Sequence, residues 1–525
     1  MRRLIRWFAL RVTWLATAFV SSSFRRALAS PEAAQERVRR RLVGELARTG
    51  YGRSLGVKGG ESLERFRELV PIVDYDALEP WLKRQREDER GGGLIVGGAR
   101  FYERTSGSSG VAKLIPYSSA LLGSFSRMFI IWARDLFGGL DGLGRGSVYF
   151  SISPSFGERV VTEGGREVGL EDDREYLPGV VRWLLGGLFL DGAEASRARS
   201  TEEFLRASAL SLVRCGELQV ISIWSPTFLE VILDYIEKRR LELAEEIGDE
   251  RGELLRSMED GVDLGRLWPD LLLLSLWADG PSRGPSERLA ARFPPSVVVQ
   301  GKGLLSTEAP VTVPLLGVEG QAPMLQELFL EFEGGSGELR LLHELELGGR
   351  YGVIVSTAGG LTRYRTGDIV EVVGAVAKSP TVRFCGRGGR LSDMVGEKLS
   401  AEVVEMALEE AGLGEAFATL VPVDGEARRY GLLTDGAGAG EAALAASLKS
   451  SLRRAHHYDL ARKLGQLEGV EVVSRGDARE LAMAMLMEDG RSIGGAKHER
   501  LTTRPITRER WLEMVARVEE EESGA

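Results

Sequence analysis

Apolar positions in this chain change their period along its length. Leu121, Leu122, Phe125, Met128, Phe129, Trp132 and Leu136 recur at helical spacing after Ser118 and predict one long amphipathic helix. Ser30-Pro31-Glu32 predicts another helix start: a capping serine, proline at the first helical position and acid in the first turn. Gly50 is its natural stop. Pro71 to Arg84 reads as an extended piece followed by a short helix. Between Ser147 and Gln300 the pattern becomes short apolar runs separated by helical stretches. The runs are Ser147–Ser153, Leu218–Trp224, Leu271–Trp277 and Ser296–Gln300. Such alternation predicts α/β units around a largely buried sheet. Leu328–Phe332, Tyr351–Ser356 and Asp368–Val373 lie closer together and alternate more. They predict an appended antiparallel sheet or small barrel.

The pattern breaks again at Gly386-Arg387-Gly388-Gly389-Arg390. Beyond it, Ser400–Ala411 reads as a capped helix, Thr419–Pro422 and Arg429–Leu433 as strands, and Ala442–Tyr458 as a further helix. A chain of 525 residues exceeds one ordinary core. The expected fold class is therefore α/β: a large N-terminal α/β domain with β-sheets or a small barrel over residues 30–385, and a smaller α+β domain over 386–525. Residues 1–29 form an amphipathic N-terminal segment. There Arg6 and Arg11 interrupt an apolar run that is short against the roughly 20 residues a membrane span needs. Ala27-Leu28-Ala29 resembles a signal-peptidase site, but Arg25-Arg26 stand just before it. Packing on the body, or peripheral contact with a membrane surface, fits better, and a cytoplasmic location follows.

Composition removes several function classes. Apolar and charged fractions of 43% and 28% are ordinary for a folded protein. A formal net charge of -9 argues against a nucleic-acid partner. Cys215 and Cys385 build no disulfide framework, and the four histidines show no metal-ligand spacing.

Two distant stretches suggest halves of one nucleotide site. Thr105-Ser106-Gly107-Ser108-Ser109-Gly110-Val-Ala-Lys113 is a Gly/Ser loop whose backbone N–H groups and hydroxyls suit phosphate, with a lysine point charge at its end. It is not a P-loop: Ala112 stands where glycine should precede the lysine, and Leu114 replaces the magnesium-binding Ser or Thr. A mobile surface loop has the same composition. Tyr364-Arg-Thr-Gly-Asp368 would place a carboxylate in a Gly-containing turn, able to accept from ribose hydroxyls or simply to cap the turn. Between them, Ser306-Thr307-Glu308 sets a hydroxyl beside a carboxylate, suited to an α-phosphate and to magnesium, or to an ordinary helix cap.

Taken in order, Thr105–Lys113 with Leu-Ile-Pro116, Leu305-Ser-Thr-Glu308 and Tyr364-Arg-Thr-Gly-Asp368 resemble the three nucleotide motifs of adenylate-forming enzymes. Pro71-Ile-Val-Asp-Tyr75, Trp224-Ser-Pro226, Leu267-Trp-Pro-Asp270, Trp277-Ala-Asp-Gly280, Gly386-Arg387 with Ser392-Asp393, and Gly495-Ala-Lys497 narrow the likeness. They are similar to the Gretchen Hagen (auxin-responsive) acyl-acid amido synthetases, in a bacterial version. The resemblance runs from about Gln35 to about Leu501 and leaves the Arg-bearing N-terminus outside. The loop is one residue shorter than in plant members, with Ser108 where threonine is common.

The resemblance implies a ligase using ATP and Mg2+. A carboxylic acid is first adenylated with release of pyrophosphate, and an amine, usually of an amino acid, then takes the acyl group. It implies that Thr105 to Gly110 cradle phosphates, Thr307 meets the α-phosphate and Glu308 assists the metal. Asp368 would hold the ribose and Arg387 would sit near it. Lys113 would stabilise charge on the transferring phosphate, and Lys497 would swing in on the small C-terminal lid domain during adenylation. The same motifs also fit an adenylating enzyme with a thiol acceptor such as coenzyme A. A catalytically silent, membrane-associated binding protein is a third reading. Phe150, Trp224 and Phe228 are aromatic candidates for the acyl pocket or for plain core.

Overall fold

The computed structural model describes residues 14–15, 17–87, 93–104, 113–151, 160–162, 164–168, 188–190, 192–198, 200–335, 337–387, 391–392, 394–395, 397, 399–436, 440–463, 467–488 and 499–516. The four apolar runs fold as one parallel sheet. Strands Ser147–Phe150, Leu218–Ser222, Leu273–Leu276 and Val298–Gly301 lie side by side in chain order. The two central strands are buried at every position, which is why they read as unbroken apolar runs rather than alternation. Helices Thr201–Arg214 and Pro226–Lys238 close this core with Phe204, Phe228, Leu229, Ile232 and Ile236.

The alternating segments form an open antiparallel sheet of seven strands. In spatial order they are Leu339–Leu341, Phe329–Glu333, Arg350–Ser356, Tyr364–Val376, Ser379–Arg387, Gln321–Pro323 and Thr312–Pro314. Tyr364-Arg-Thr-Gly-Asp368 was expected in a turn; it lies inside the 13-residue strand. The chain kinks there instead, because Gly367 takes φ 79° and the register to the neighbouring strand slips between Gly352 and Ile354. That irregularity is what mimics a turn in the sequence.

Helix Ser119–Gly139 spans the predicted apolar stripe. It does not follow the Gly/Ser loop directly, since strand Leu114–Tyr117 intervenes and Ser118 caps the helix by accepting from Leu121 N–H at 3.1 Å. Helix Pro31–Leu46 starts where expected, but Ser30 makes no side-chain cap bond. Gly50 opens the next short helix, Gly50–Ser54, capped by Thr49, rather than stopping the first. Gln35 fastens this region to the antiparallel sheet. Its amide donates to the carbonyls of Leu325 and Leu328 at 2.8 and 2.7 Å and accepts from Leu330 N–H at 2.8 Å.

Within the N-terminal segment, helix Ala18–Leu28 buries Phe24, Ala27 and Leu28, and Arg134 lies 4.2 Å over the Trp14 ring. The described part of that segment therefore packs on the body. No helix among the described residues is long and apolar enough to cross a membrane.

The C-terminal region has its own mixed sheet, in the order Glu471–Ser474, Arg429–Thr434, Ala418–Asp424, Ile506–Thr507. Helices Ala401–Glu410, Glu441–Leu452 and Ala478–Glu488 pack around it. Arg479 on the last of these pairs with Glu230 of helix Pro226–Lys238 and with Asp435.

Candidate active site

The chain after the last parallel strand makes a tight turn. Ser306 and Ala309 exchange backbone hydrogen bonds at 3.1 and 3.3 Å, and Leu305 bridges Pro310. Thr307 and Glu308 occupy the two central positions, so they sit at a turn tip and not at a helix cap. Glu308 is buried. The Tyr117 hydroxyl donates to the Thr307 carbonyl at 2.6 Å. Tyr117 ends strand Leu114–Tyr117, the strand that leaves the Gly/Ser loop. Two sequence motifs separated by some 190 positions are thereby joined by one hydrogen bond.

The third motif arrives on the antiparallel sheet. Asp368 is 1% exposed and stands directly opposite Arg387 in the ladder between Tyr364–Val376 and Ser379–Arg387. The structure thus pairs two residues that the sequence related only by resemblance. The start of that strand is clamped: Val73 N–H donates to the Arg363 carbonyl at 3.1 Å, and Arg365 N–H donates to the Val73 carbonyl at 2.8 Å. This draws in the Pro71–Tyr75 stretch. The Tyr75 hydroxyl accepts from Leu114 N–H at 3.0 Å, Lys113 Nζ lies 5.2 Å from the Tyr75 ring centre, and burial raises the Tyr75 pKa.

The two sheets meet beside these groups. Gln321 Nε2 donates to Asp279 Oδ2 at 2.7 Å, and burial pushes the Asp279 carboxyl above its ordinary pKa. A Cβ on Gly280, whose φ is 55°, would fall 3.0 Å from the Cys385 carbonyl oxygen. Only glycine lets the end of the parallel sheet come that close to strand Ser379–Arg387. Thr105, Ser106, Gly107, Ser108, Ser109, Gly110 and Lys497 lie outside the described residues, as does the Arg387 side chain.

Residues 20–270 match the GH3 family N-terminal domain, and residues 324–387 match the GH3 family central domain. The chain belongs to the GH3 family. The match starts at residue 20, so it takes in most of helix Ala18–Leu28, which the motif resemblance left out. Among curated relatives, an indole-3-acetic acid-amido synthetase GH3.8 from Oryza sativa subsp. indica is 24% identical over 436 residues, covering 72% of this chain and 70% of the relative. A GH3 domain-containing protein from Homo sapiens is 32% identical over 159 residues, 28% of this chain and 29% of that protein. Among solved structures, AtGH3.15 acyl acid amido synthetase in complex with 2,4-DB superposes with a TM-score of 0.75 at 19% identity, covering 94% of this chain and 95% of that one. That likeness establishes the fold.

Sequence reasoning missed one cluster in this GH3 protein. Lys302, 8% exposed, donates from Nζ to Ser222 Oγ at 2.7 Å and reaches Ser275 Oγ at 3.4 Å. Its Nζ lies 4.9 Å from the Trp224 ring centre, 5.7 Å from Phe150 and 5.9 Å from Trp132. Trp224 and Phe150, two of the aromatic candidates, are thus brought together. The third, Phe228, is fully buried against Phe204 and is core. The missed signal was Gln300-Gly-Lys-Gly303, a lysine set directly after the edge strand of the parallel sheet. A hollow of about 370 Å³ lined by Leu481, Met485, Thr507, Arg510 and Met514 belongs to the C-terminal region and holds none of the motif residues.

Proposed function

We propose that this protein is an ATP-dependent acyl-acid amido synthetase, a ligase that forms amide bonds through an acyl-adenylate. The reading rests above all on the junction of the Thr307-Glu308 turn with the exit strand of the Gly/Ser loop. The Asp368–Arg387 pair and GH3 membership support it. In the first step a carboxylate oxygen attacks the α-phosphorus of ATP and pyrophosphate leaves. In the second an amine nitrogen, best supplied by an amino acid, attacks the acyl carbon, AMP leaves and the amine loses a proton.

In this scheme Thr105 to Gly110 cradle the phosphates and Lys113 neutralises charge gathering on them. Thr307 contacts the α-phosphate, Asp368 holds the ribose, and Arg387 lies beside it. Mg2+ fits Glu308: it takes one or two carboxylates, with phosphate oxygens and water completing the shell, and Glu308 is a buried oxygen donor at the turn tip. When bound, the ion offsets phosphate charge. No group of three or more His, Cys, Asp or Glu side chains among the described residues forms a ready-made metal cage, so substrate oxygens would supply the other ligands. We place the lid at residues 386–525, following the body of residues 30–385, and assign Lys497 as its cation for adenylation.

The test is acid-dependent pyrophosphate release from ATP, followed by addition of hydroxylamine, amino acids or coenzyme A. Release should fall in Lys113→Ala, Asp368→Asn and Lys497→Ala, and amide should form with an amino acid. Product with coenzyme A alone overturns the amide assignment. Undiminished release in all three variants overturns the site.

A further inference from the structure

The parallel sheet carries a polar row at its C-terminal edge, where ligands bind in open α/β sheets. Phe150, Ser222, Ser275 and Gln300 are register partners across four adjacent strands, so they share one face. Lys302, two residues beyond Gln300, extends the row and turns its ammonium back across the sheet to Ser222. Strands are spaced about 4.8 Å apart, so Ser222 lies about 10 Å from the strand carrying Lys302. The Thr307-Glu308 turn points elsewhere, to Tyr117. The ammonium and the turn are thus tied to different elements, the parallel sheet and strand Leu114–Tyr117. Trp132 roofs the row by donating from Nε1 to Gln300 Oε1 at 2.7 Å. Gln300 is 8% exposed, and its Nε2 has no hydrogen-bond partner among the described residues.

Two donors, one of them cationic, are thus buried among aromatic side chains. A buried donor left unmatched is costly, and a desolvated ammonium gains most from an electron-rich oxygen. We propose that Lys302 and Gln300 form the far end of the acyl pocket and select planar acids that carry a second oxygen acceptor on the body, distal to the reacting carboxylate. Trp224, Trp132 and Phe150 sandwich the ring or other flat portion. Lys302 is then a specificity-determining residue. The inference rests on the amido synthetase reading and names the substrate class for it.

The experiment compares 3-phenylpropanoate with its 4-hydroxy and 4-carboxy analogues, using the full-length protein. Pyrophosphate release and quenching of tryptophan fluorescence by each acid are both measured. Wild type should favour the oxygen-bearing acids by about tenfold or more, the size of one charge-assisted hydrogen bond. Lys302→Met should lose that preference through the KM for acid, with the KM for ATP unchanged; Lys302→Arg should keep part of it. A uniform loss for all three acids, or a shifted KM for ATP, overturns the proposal. Equal quenching affinities for the three acids in wild type overturn it without reference to any variant. Selective quenching with no pyrophosphate release would sink the synthetase reading and leave the pocket standing.

Discussion

Two buried cations flank the candidate site, and they are held in opposite ways. Arg363, 3% exposed, makes bonds of 2.8 and 3.1 Å to the Glu331 carboxylate and donates to the carbonyls of Arg67 and Val70. Glu331 also takes Arg67 at 2.8 Å. Lys302 rests on serine hydroxyls and ring faces. The first arrangement commits its charge to geometry: it fixes Arg363 itself, at φ 47°, just before Tyr364, and so sets where the kinked strand that carries Asp368 begins. The second sets its charge across the parallel sheet, on the Ser222 and Ser275 hydroxyls, among aromatic side chains. One cation is scaffold and the other is equipment for recognition.

Breaking the scaffold should have the largest effect. Glu331→Ala leaves two guanidinium groups without their shared carboxylate, one of them deeply buried, and should cost about 3–5 kcal/mol. The midpoint of urea unfolding reads this directly. A loss below about 1 kcal/mol would mean water reaches Arg363 and the pair is no clamp.

A further buried charge, in the C-terminal region, tests whether saturation is the rule for scaffold ions. Glu397 is fully buried and accepts from Met394 and Val395 N–H groups and from the Tyr430 hydroxyl at 2.6 Å. Burial, with the adjacent Glu397 charge, drives the Tyr430 pKa far up, so the phenol stays a donor. Tyr430→Phe removes that donor and its bond to Ser392, and should cost about 1.5–3 kcal/mol. Unfolding of this variant monitored by circular dichroism decides it.

Lys302→Met should behave unlike either. The side chain stays unbranched but one atom shorter, the serine hydroxyls and ring faces lose their cation, and the cost of burying an ammonium disappears. Stability should stay within about 1 kcal/mol of wild type. A drop as large as that of Glu331→Ala would erase the contrast and make Lys302 scaffold as well.

This contrast also explains what the sequence could reveal. Leu218–Ser222 and Leu273–Leu276 were legible because strands buried on both faces leave unbroken apolar runs. Motif order is what singled out Thr307, Glu308 and Asp368 as candidates. Lys302 was not legible: its meaning depends on Phe150, Ser222, Ser275 and Gln300 falling into one register row, and strand adjacency is not written locally. The Arg363–Glu331 pair spans 32 positions with no periodic signal. Asp368 was misplaced into a turn because Gly367 interrupts the strand period without ending the strand.

The smallest effect belongs to Glu36, a partly exposed carboxylate shared by the buried Arg39 and the exposed Arg40, and its pH dependence separates it from the buried carboxylates. Glu36 bonds Arg39 and Arg40 at 2.7 and 2.6 Å, and the Arg39 hydrogen bond chiefly lowers its pKa from 4.5 to about 2. A carboxyl whose pKa is depressed on folding stabilises the fold above the unfolded value of 4.5. That contribution fades as pH falls toward about 2, where the folded group also takes a proton. The Glu36 side chain is 38% exposed, so solvent screens the pair and the net worth at neutral pH is about 1 kcal/mol or less. Glu36→Gln should therefore lower the unfolding midpoint slightly at pH 7, and the gap to wild type should close on acidification. A gap that persisted unchanged to low pH would show that the residue acts through helix packing, placing Glu36 with the scaffold and not with the surface charges.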